Sequence, residues 1–277
     1  MREQTVAMYC LLDDFINAAR PSWARPADKR RHLSDAEILT TALVAARFFG
    51  GNWCQAQHYM TQHWGMNKLD KSGFGRHLHR LQEALLVLFA AFGQRLKDLD
   101  TSTHYVIDSF PVAVCHNTRI GRCKLLTGNA YRGRCASKRC WFYGFKVQLV
   151  CTAGGVPVDC YVHAGSEADI VGLRALSPQL PEGRVLYADA GYTDYTYEDL
   201  FTEASGCQLL VARKCNSKRP HDPAQAYLIQ HYRKDIETQF SVLTGRFPKK
   251  IHAVTAEGFV LKLILFVFVH ALAKSGY

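Results

Sequence analysis

The sequence predicts an α/β protein: an RNase H-like mixed five-stranded sheet with flanking helices, preceded by an all-helical N-terminal domain. Three observations point there. Through about residue 100, apolar residues recur at helical spacing. From about residue 103, short β-branched and aromatic runs take over, bounded by Gly, Pro or Asn. In the second half these runs alternate with helix-like segments.

The N-terminal helices follow from local signals. Ser34-Asp-Ala-Glu37 is a capping box, with the Ser34 hydroxyl placed to accept from the Glu37 N–H and Glu37 able to reach back. Ile38, Leu39, Ala42, Leu43 and Ala46 follow on one face, and Gly50-Gly51 stops the helix. A second helix covers about 53–63. A third runs from about 75 to 96 on the stripe Leu78, Leu81, Leu85, Leu88, Phe92 and Leu96. The expected domain boundary is therefore 1–100 against 101–277.

In the second domain, strands are expected at 104–108, 142–151, 156–162, 184–189 and 209–213. Gly154-Gly155 marks a hairpin between the second and third, hence antiparallel pairing. Helices near 170–180 and 195–204 flank the fourth strand and imply parallel crossovers. A long helix, 225–247, follows the fifth. Three strands, helix, strand, helix, strand, long helix is the RNase H-like order.

Composition limits function. The 277 residues are 48% hydrophobic and 21% charged, which is globular and excludes disordered or fibrous classes. The 34 basic and 24 acidic residues give a net charge of +10, which favours a polyanionic partner. No secretory signal is read in the first twenty residues, so the ten cysteines are expected as reduced thiols in a cytoplasmic protein. The apolar run Phe259–Ala273, broken by Lys262 and His270, is expected as a buried terminal helix and not a membrane span. A membrane-surface role is disfavoured because no basic amphipathic helix with an aromatic face is present.

Three carboxylates carry the candidate chemistry. Asp108 closes the run Tyr-Val-Ile-Asp, and Asp189 closes Val-Leu-Tyr-Ala-Asp before Ala190-Gly191-Tyr192. Either aspartate alone reads equally as a turn or capping residue at a strand end. Groups at the carboxyl ends of adjacent strands converge on one crevice, however. Glu237 borders the core stripe Tyr232, Ile236, Phe240, Leu243 and Phe247 of the long helix, and Arg233 lies one turn earlier. A surface Arg–Glu pair is the plain alternative there. Three converging carboxylates repel unless cations intervene, and two Mg²⁺ ions, with Mn²⁺ as a substitute, suit an all-oxygen set and in-line phosphoryl transfer.

Four blocks carry a resemblance. Ile107-Asp108-Ser-Phe-Pro-Val112, Tyr143-Gly-Phe-Lys146, Tyr187-Ala-Asp189-Ala-Gly-Tyr192 and Asp235-Ile-Glu237-Thr-Gln-Phe240 resemble the successive blocks of a DDE-type insertion-sequence transposase. Leu33-Ser-Asp-Ala-Glu37 and Phe48-Phe-Gly-Gly51 are similar to one bacterial family, that of insertion sequence nine-eighty-two. The blocks keep their order, with 81 residues from Asp108 to Asp189 and 48 from Asp189 to Glu237. The resemblance implies an RNase H-like catalytic domain and two divalent metals on Asp108, Asp189 and Glu237. It further implies strand cleavage and transfer at terminal inverted repeats, with target DNA and a second protomer, a homodimer, as partners. The alternatives are a DNA-binding relative without catalysis and an RNase H-like nuclease that cuts without joining. A related group carries Tyr, Arg, Glu and Lys on the last helix. Here Arg233 and Glu237 match, Gln230 and Thr244 occupy the other two places, and Arg246 and Lys249 are the candidate replacements for the lysine.

The remaining candidates are DNA contacts. The segment 115–140 carries Arg119, Arg122, Lys124, Arg132, Arg134, Lys138 and Arg139 and no acid, and it is expected as a loop gripping phosphates beside Asp108. Lys146 and Arg233 are further candidates. Arg76 and Arg80 are expected to open a helix, as in a helix-turn-helix-like reader of the major groove, with a plain helical bundle supporting oligomer contacts as the equal alternative. Cys115, Cys123, Cys135, Cys140 and His116 lack the tight spacing of a zinc knuckle, and no zinc is expected.

Overall fold

The computed structural model describes residues 1–19, 33–135 and 139–277. Five helices come first: α1 (Arg2–Ala19), α2 (Asp35–Phe48), α3 (Trp53–Trp64), α4 (Lys71–Arg80) and α5 (Gln82–Leu99). Then follow β1 (His104–Cys115), β2 (Arg132–Cys135), β3 (Cys140–Thr152), β4 (Pro157–Ala164), α6 (Asp169–Leu176), β5 (Val185–Ala188), α7 (Tyr195–Ser205), β6 (Gln208–Val211), α8 (Pro223–Gly245) and α9 (Ala256–Lys274). The chain is a mixed α/β protein with a mostly helical N-terminal region. It divides into two compact units, one of Met1–Ala91 with Leu243–Tyr277 and the other of Phe92–Val242.

In the first unit the capping box at Ser34 is formed: the Ser34 hydroxyl accepts from Glu37 N at 3.1 Å, and Glu37 Oε2 accepts from Ser34 N at 2.6 Å. The helix expected over 75–96 is instead two. Asp70 Oδ2 accepts from Ser72 N and Gly73 N, starting α4 four residues early. Glycine suits position 73, where a Cβ would stand 2.5 Å from Asp70 Oδ1. A tight turn at Leu81, whose N–H donates to Leu78 O at 3.1 Å, then separates α4 from α5.

Residues 243–277, expected with the sheet, cluster with the N-terminal helices. The cause is α9, which is apolar around its whole circumference and so must be enclosed. Leu261, Leu263 and Val267 are fully buried, and Phe268 packs edge-on against Phe89 at 5.4 Å. Among the described residues α9 is the one helix long and apolar enough to cross a membrane, and most of it is buried.

The second unit is built on six strands, one more than expected, in the order β2-β3-β1-β5-β6 with β4 also on β3. β1, β3 and β4 are antiparallel neighbours, whereas β5 pairs parallel with both β1 and β6. The added strand is β2, inside the basic segment expected as loop. Its Arg-Gly-Arg-Cys sequence lacks β-branched or aromatic residues, but β3 extends past its pairings with β1 and β4 at Cys140–Phe142 and, with Tyr143, offers these residues as partners. Tyr105, Ile107, Leu173, Leu186, Tyr192 and Phe201 form the core on one side of the sheet.

Candidate active site

The parallel pairing of β1 with β5 covers only His104–Val106 against Val185–Tyr187. Beyond Val106, β1 continues on β3 alone, so Asp108 stands past the end of the β1–β5 pairing. Asp189 is the first residue after β5. The strand expected to end at Asp108 runs on to Cys115, held by its antiparallel pairing with β3, so Asp108 lies within β1; it meets Asp189 where the parallel β1–β5 pairing ends.

Each aspartate is held locally. Asp108 Oδ1 accepts from Ser109 N at 2.7 Å, and Asp189 Oδ1 accepts from Gly191 N at 2.7 Å, capping a 3₁₀ turn over Ala190–Tyr192. Burial pushes the Asp108 carboxyl up to about 7, and the Asp189 and Asp169 charges push the same way. The Ser109 N–H and the Arg233 guanidinium oppose that shift.

α8 covers this edge. Alternation along β1 puts His104, Val106, Asp108 and Phe110 on one face. His104 packs on Tyr232 at 4.7 Å, Phe110 on Phe240 at 4.8 Å, and Tyr187 stacks on Tyr232 at 4.8 Å. Asp108 thus lies on the α8 side, between two aromatic anchors. Arg233 reaches to 4.0 Å from Asp189 Oδ2.

Glu237 sits between the same anchors on α8, one turn after Arg233, and is exposed. The structure brings Asp108, Asp189 and Arg233 together. Among the described residues it does not gather three or more His, Cys, Asp or Glu side chains closely enough to hold a metal ion. The donor chemistry does fit a hard divalent cation, since the acidic groups brought together are carboxylates, with the Arg233 guanidinium beside them.

A third aspartate at this place was not foreseen. Asp169, the first residue of α6, accepts from Ser109 Oγ at 2.7 Å and pairs with Lys146 at 3.0 Å. The signal was available, because Ser-Glu-Ala-Asp precedes the helix read at 170, but an acid at a helix start is ordinarily a cap or dipole partner. Tyr192 was likewise passed over. It is fully buried, its hydroxyl lies beside Ser109 without a well-formed hydrogen bond, and burial together with the charges of Asp108, Asp169 and Asp189 raises its pKa well above the ordinary value.

The basic candidates separate. Arg119, Arg122, Lys124, Arg132, Arg134 and Arg139 are all exposed, and β2 alternates Arg132 and Arg134 outward with Gly133 and Cys135 inward. Lys138 lies outside the described residues. A cavity of about 410 Å³ beside them is lined by Asn117, Ile120, Arg132, Phe142 and the exposed indole of Trp141, another residue not singled out from sequence. Lys146 is mostly buried, donating to Glu167 O at 2.8 Å as well as to Asp169.

Arg76 and Arg80 are exposed, but α4 starts at Lys71 and ends at Arg80, so they occupy its second half and do not open it. Asp70 fixes that earlier start. Arg246 is half-buried just beyond α8, its pKa lowered by burial and by Arg47, while Lys249 is exposed. All ten cysteines are free thiols. Cys115 and Cys123 lie together, and burial raises the Cys115 thiol.

Residues 99–248, more than half of the chain, match the family model described as "Transposase DDE domain". A search of curated proteins and one of solved structures each gave no match.

Proposed function

Because the chain belongs to the transposase DDE-domain family, we propose that it is an insertion-sequence transposase that cuts DNA at element ends and joins the freed strands to target DNA. A function in transposition, with DNA as partner, is what the family carries. The finer reading rests on one observation: Asp108, within β1 just past its parallel pairing with β5, and Asp189, which follows β5, lie together beside Arg233.

Asp108, Asp189 and Glu237 are the metal-binding and catalytic carboxylates in this reading. Two Mg²⁺ ions, or Mn²⁺ in their place, would supply Lewis acidity for activating water or a 3′-hydroxyl and for stabilising the leaving oxygen. The protein's part is placement. Asp108 and Asp189 are fixed by backbone N–H groups, and Glu237 is carried on a helix docked through Tyr232 and Phe240. Arg233 holds positive charge beside Asp189, where it can steady either the carboxylates or the scissile phosphate. No side-chain nucleophile is required.

The strand order supports an RNase H-like catalytic domain: an antiparallel β4-β3-β1 set extended by parallel β5 and β6. The blocks at Leu33–Glu37 and Phe48–Gly51 support membership of the insertion sequence nine-eighty-two family. Arg119, Arg122, Lys124, Arg132, Arg134 and Arg139 form an exposed phosphate-gripping surface, to which Trp141 adds an indole face for stacking an unpaired base. The N-terminal helices serve terminal-repeat binding, and two protomers pair two element ends.

The test is a product assay. Purified protein with labelled terminal-repeat DNA, target plasmid and Mg²⁺ or Mn²⁺ should yield joined molecules. Nicks without joining would reduce the reading to a nuclease, and binding without either product would reduce it to a DNA-binding protein.

A further inference from the structure

Asp169 opens α6 and pairs with Lys146 at 3.0 Å. It adds a third negative charge beside Asp108 and Asp189, where like charges repel. An asparagine would accept the same hydrogen bonds from Ser109 and Lys146 through its Oδ1 but would leave the mostly buried Lys146 without its counter-charge.

Its surroundings hold it in one orientation. Oδ1 accepts from Ser109 Oγ at 2.7 Å and from Lys146 Nζ at 3.0 Å, and its backbone oxygen accepts from the Gln148 amide at 3.4 Å. Gln148 is fully buried. Ser109 is also the residue whose N–H holds Asp108 Oδ1 at 2.7 Å. A continuous path of hydrogen bonds thus runs from Lys146 through Asp169 and Ser109 to Asp108. The other oxygen, Oδ2, faces the gap above Gly191: a Cβ there would lie 3.4 Å from it and 2.9 Å from Asp189 Oδ1. The buried, unpartnered Tyr192 hydroxyl borders the same place.

We infer that Asp169 is a positioning residue of the strand-transfer site, setting the Asp108 carboxylate through Ser109 and contributing charge to the crevice while Lys146 balances it. This rests on the proposed function above. Outer partners of this kind change metal affinity by about 10- to 100-fold when removed.

The test is Mn²⁺ binding to the full chain, followed by the electron paramagnetic resonance of free Mn²⁺, with melting temperature as a check on folding. Ser109→Ala should weaken Mn²⁺ binding about tenfold and Asp169→Asn at least as much. Ser109→Thr, which restores the hydroxyl, should recover the wild-type value. The double variant should bind no worse than Asp169→Asn alone, because both changes cut one path. Should Asp169→Asn fail to fold, the Ser109→Ala and Ser109→Thr pair decides. Wild-type affinity in Ser109→Ala and Asp169→Asn, with binding lost in Asp108→Ala and Asp189→Ala, overturns this inference and leaves the site standing. Additive losses in the double variant would make Asp169 a direct ligand and overturn the positioning role. Wild-type binding in Asp108→Ala and Asp189→Ala would remove the site reading itself, and this inference with it.

Discussion

The Arg233 guanidinium stands 4.0 Å from the Asp189 carboxylate, and its charge also opposes the upward shift of Asp108. Arg233→Ala should therefore move the ionisation of Asp108 to still higher pH in the metal-free protein. A carboxyl-carbon NMR titration of Asp108 reads this directly. An unchanged midpoint would mean that α8 does not present Arg233 to the crevice.

Asp108 itself should shape stability against pH. Its folded-state value of about 7 stands above the ordinary 3.8, mainly through burial. The fold therefore holds the proton between those values. The stabilisation is complete below about pH 4 and is lost as pH rises through about 7. Metal-free protein should melt progressively lower across that window, and Asp108→Asn should flatten the trend and raise the neutral-pH melting temperature by several degrees, on the order of 5 °C. A variant with the wild-type slope would contradict the burial of this carboxyl.

His270 works in the opposite direction. It is fully buried on α9 with both ring nitrogens unpartnered, and burial, with help from Arg246, Lys274 and Arg47, lowers its pKa to about 4. The neutral ring belongs to the fold, so its stabilisation is complete above about 6.5 and lost as pH falls through about 4. His270→Leu should shift the acid-unfolding midpoint to lower pH, followed by circular dichroism.

In the second unit Lys97, almost fully buried, pairs with Asp159 at 2.8 Å and donates to Gln179 O at 2.9 Å. Removing one partner leaves a buried charge uncompensated. Lys97→Met should cost roughly 3 kcal/mol in urea denaturation, and adding Asp159→Asn should recover part of it.

For the basic segment, Arg119→Glu, Arg122→Glu and Arg132→Glu together should weaken DNA binding and flatten its salt dependence, by about 0.9 in log–log slope for each phosphate no longer neutralised. A slope equal to wild type would take the segment out of the DNA interface.

The sheet was legible because its strands announce themselves twice, by β-branched and aromatic content and by bounding turns. Runs read at 142–151 and 184–189 fall on β3 and β5. The proximity of Asp108 and Asp189 was legible because a carboxylate after an apolar run is chemically conspicuous, although β1 runs on past Asp108 to Cys115. β2 was hidden because its pairing is decided by the free edge of β3, not by its own composition. The break at Leu81 was hidden because the apolar stripe runs straight through it. Asp169 was hidden because its significance lies in Ser109 and Lys146, 60 and 23 residues away. Single-sequence periodicity holds no information at such separations, and the same holds for the place of α9 among the N-terminal helices.

The most direct test is cleavage and joining of labelled terminal-repeat DNA by the wild-type protein against Asp108→Ala, Asp189→Ala and Glu237→Ala, at equal concentration with Mg²⁺. Each substitution should abolish both products while leaving DNA binding and the melting transition in place. Cleavage near the wild-type level in any one of the three would contradict the assignment of that carboxylate. Undiminished activity in both aspartate variants would contradict the site.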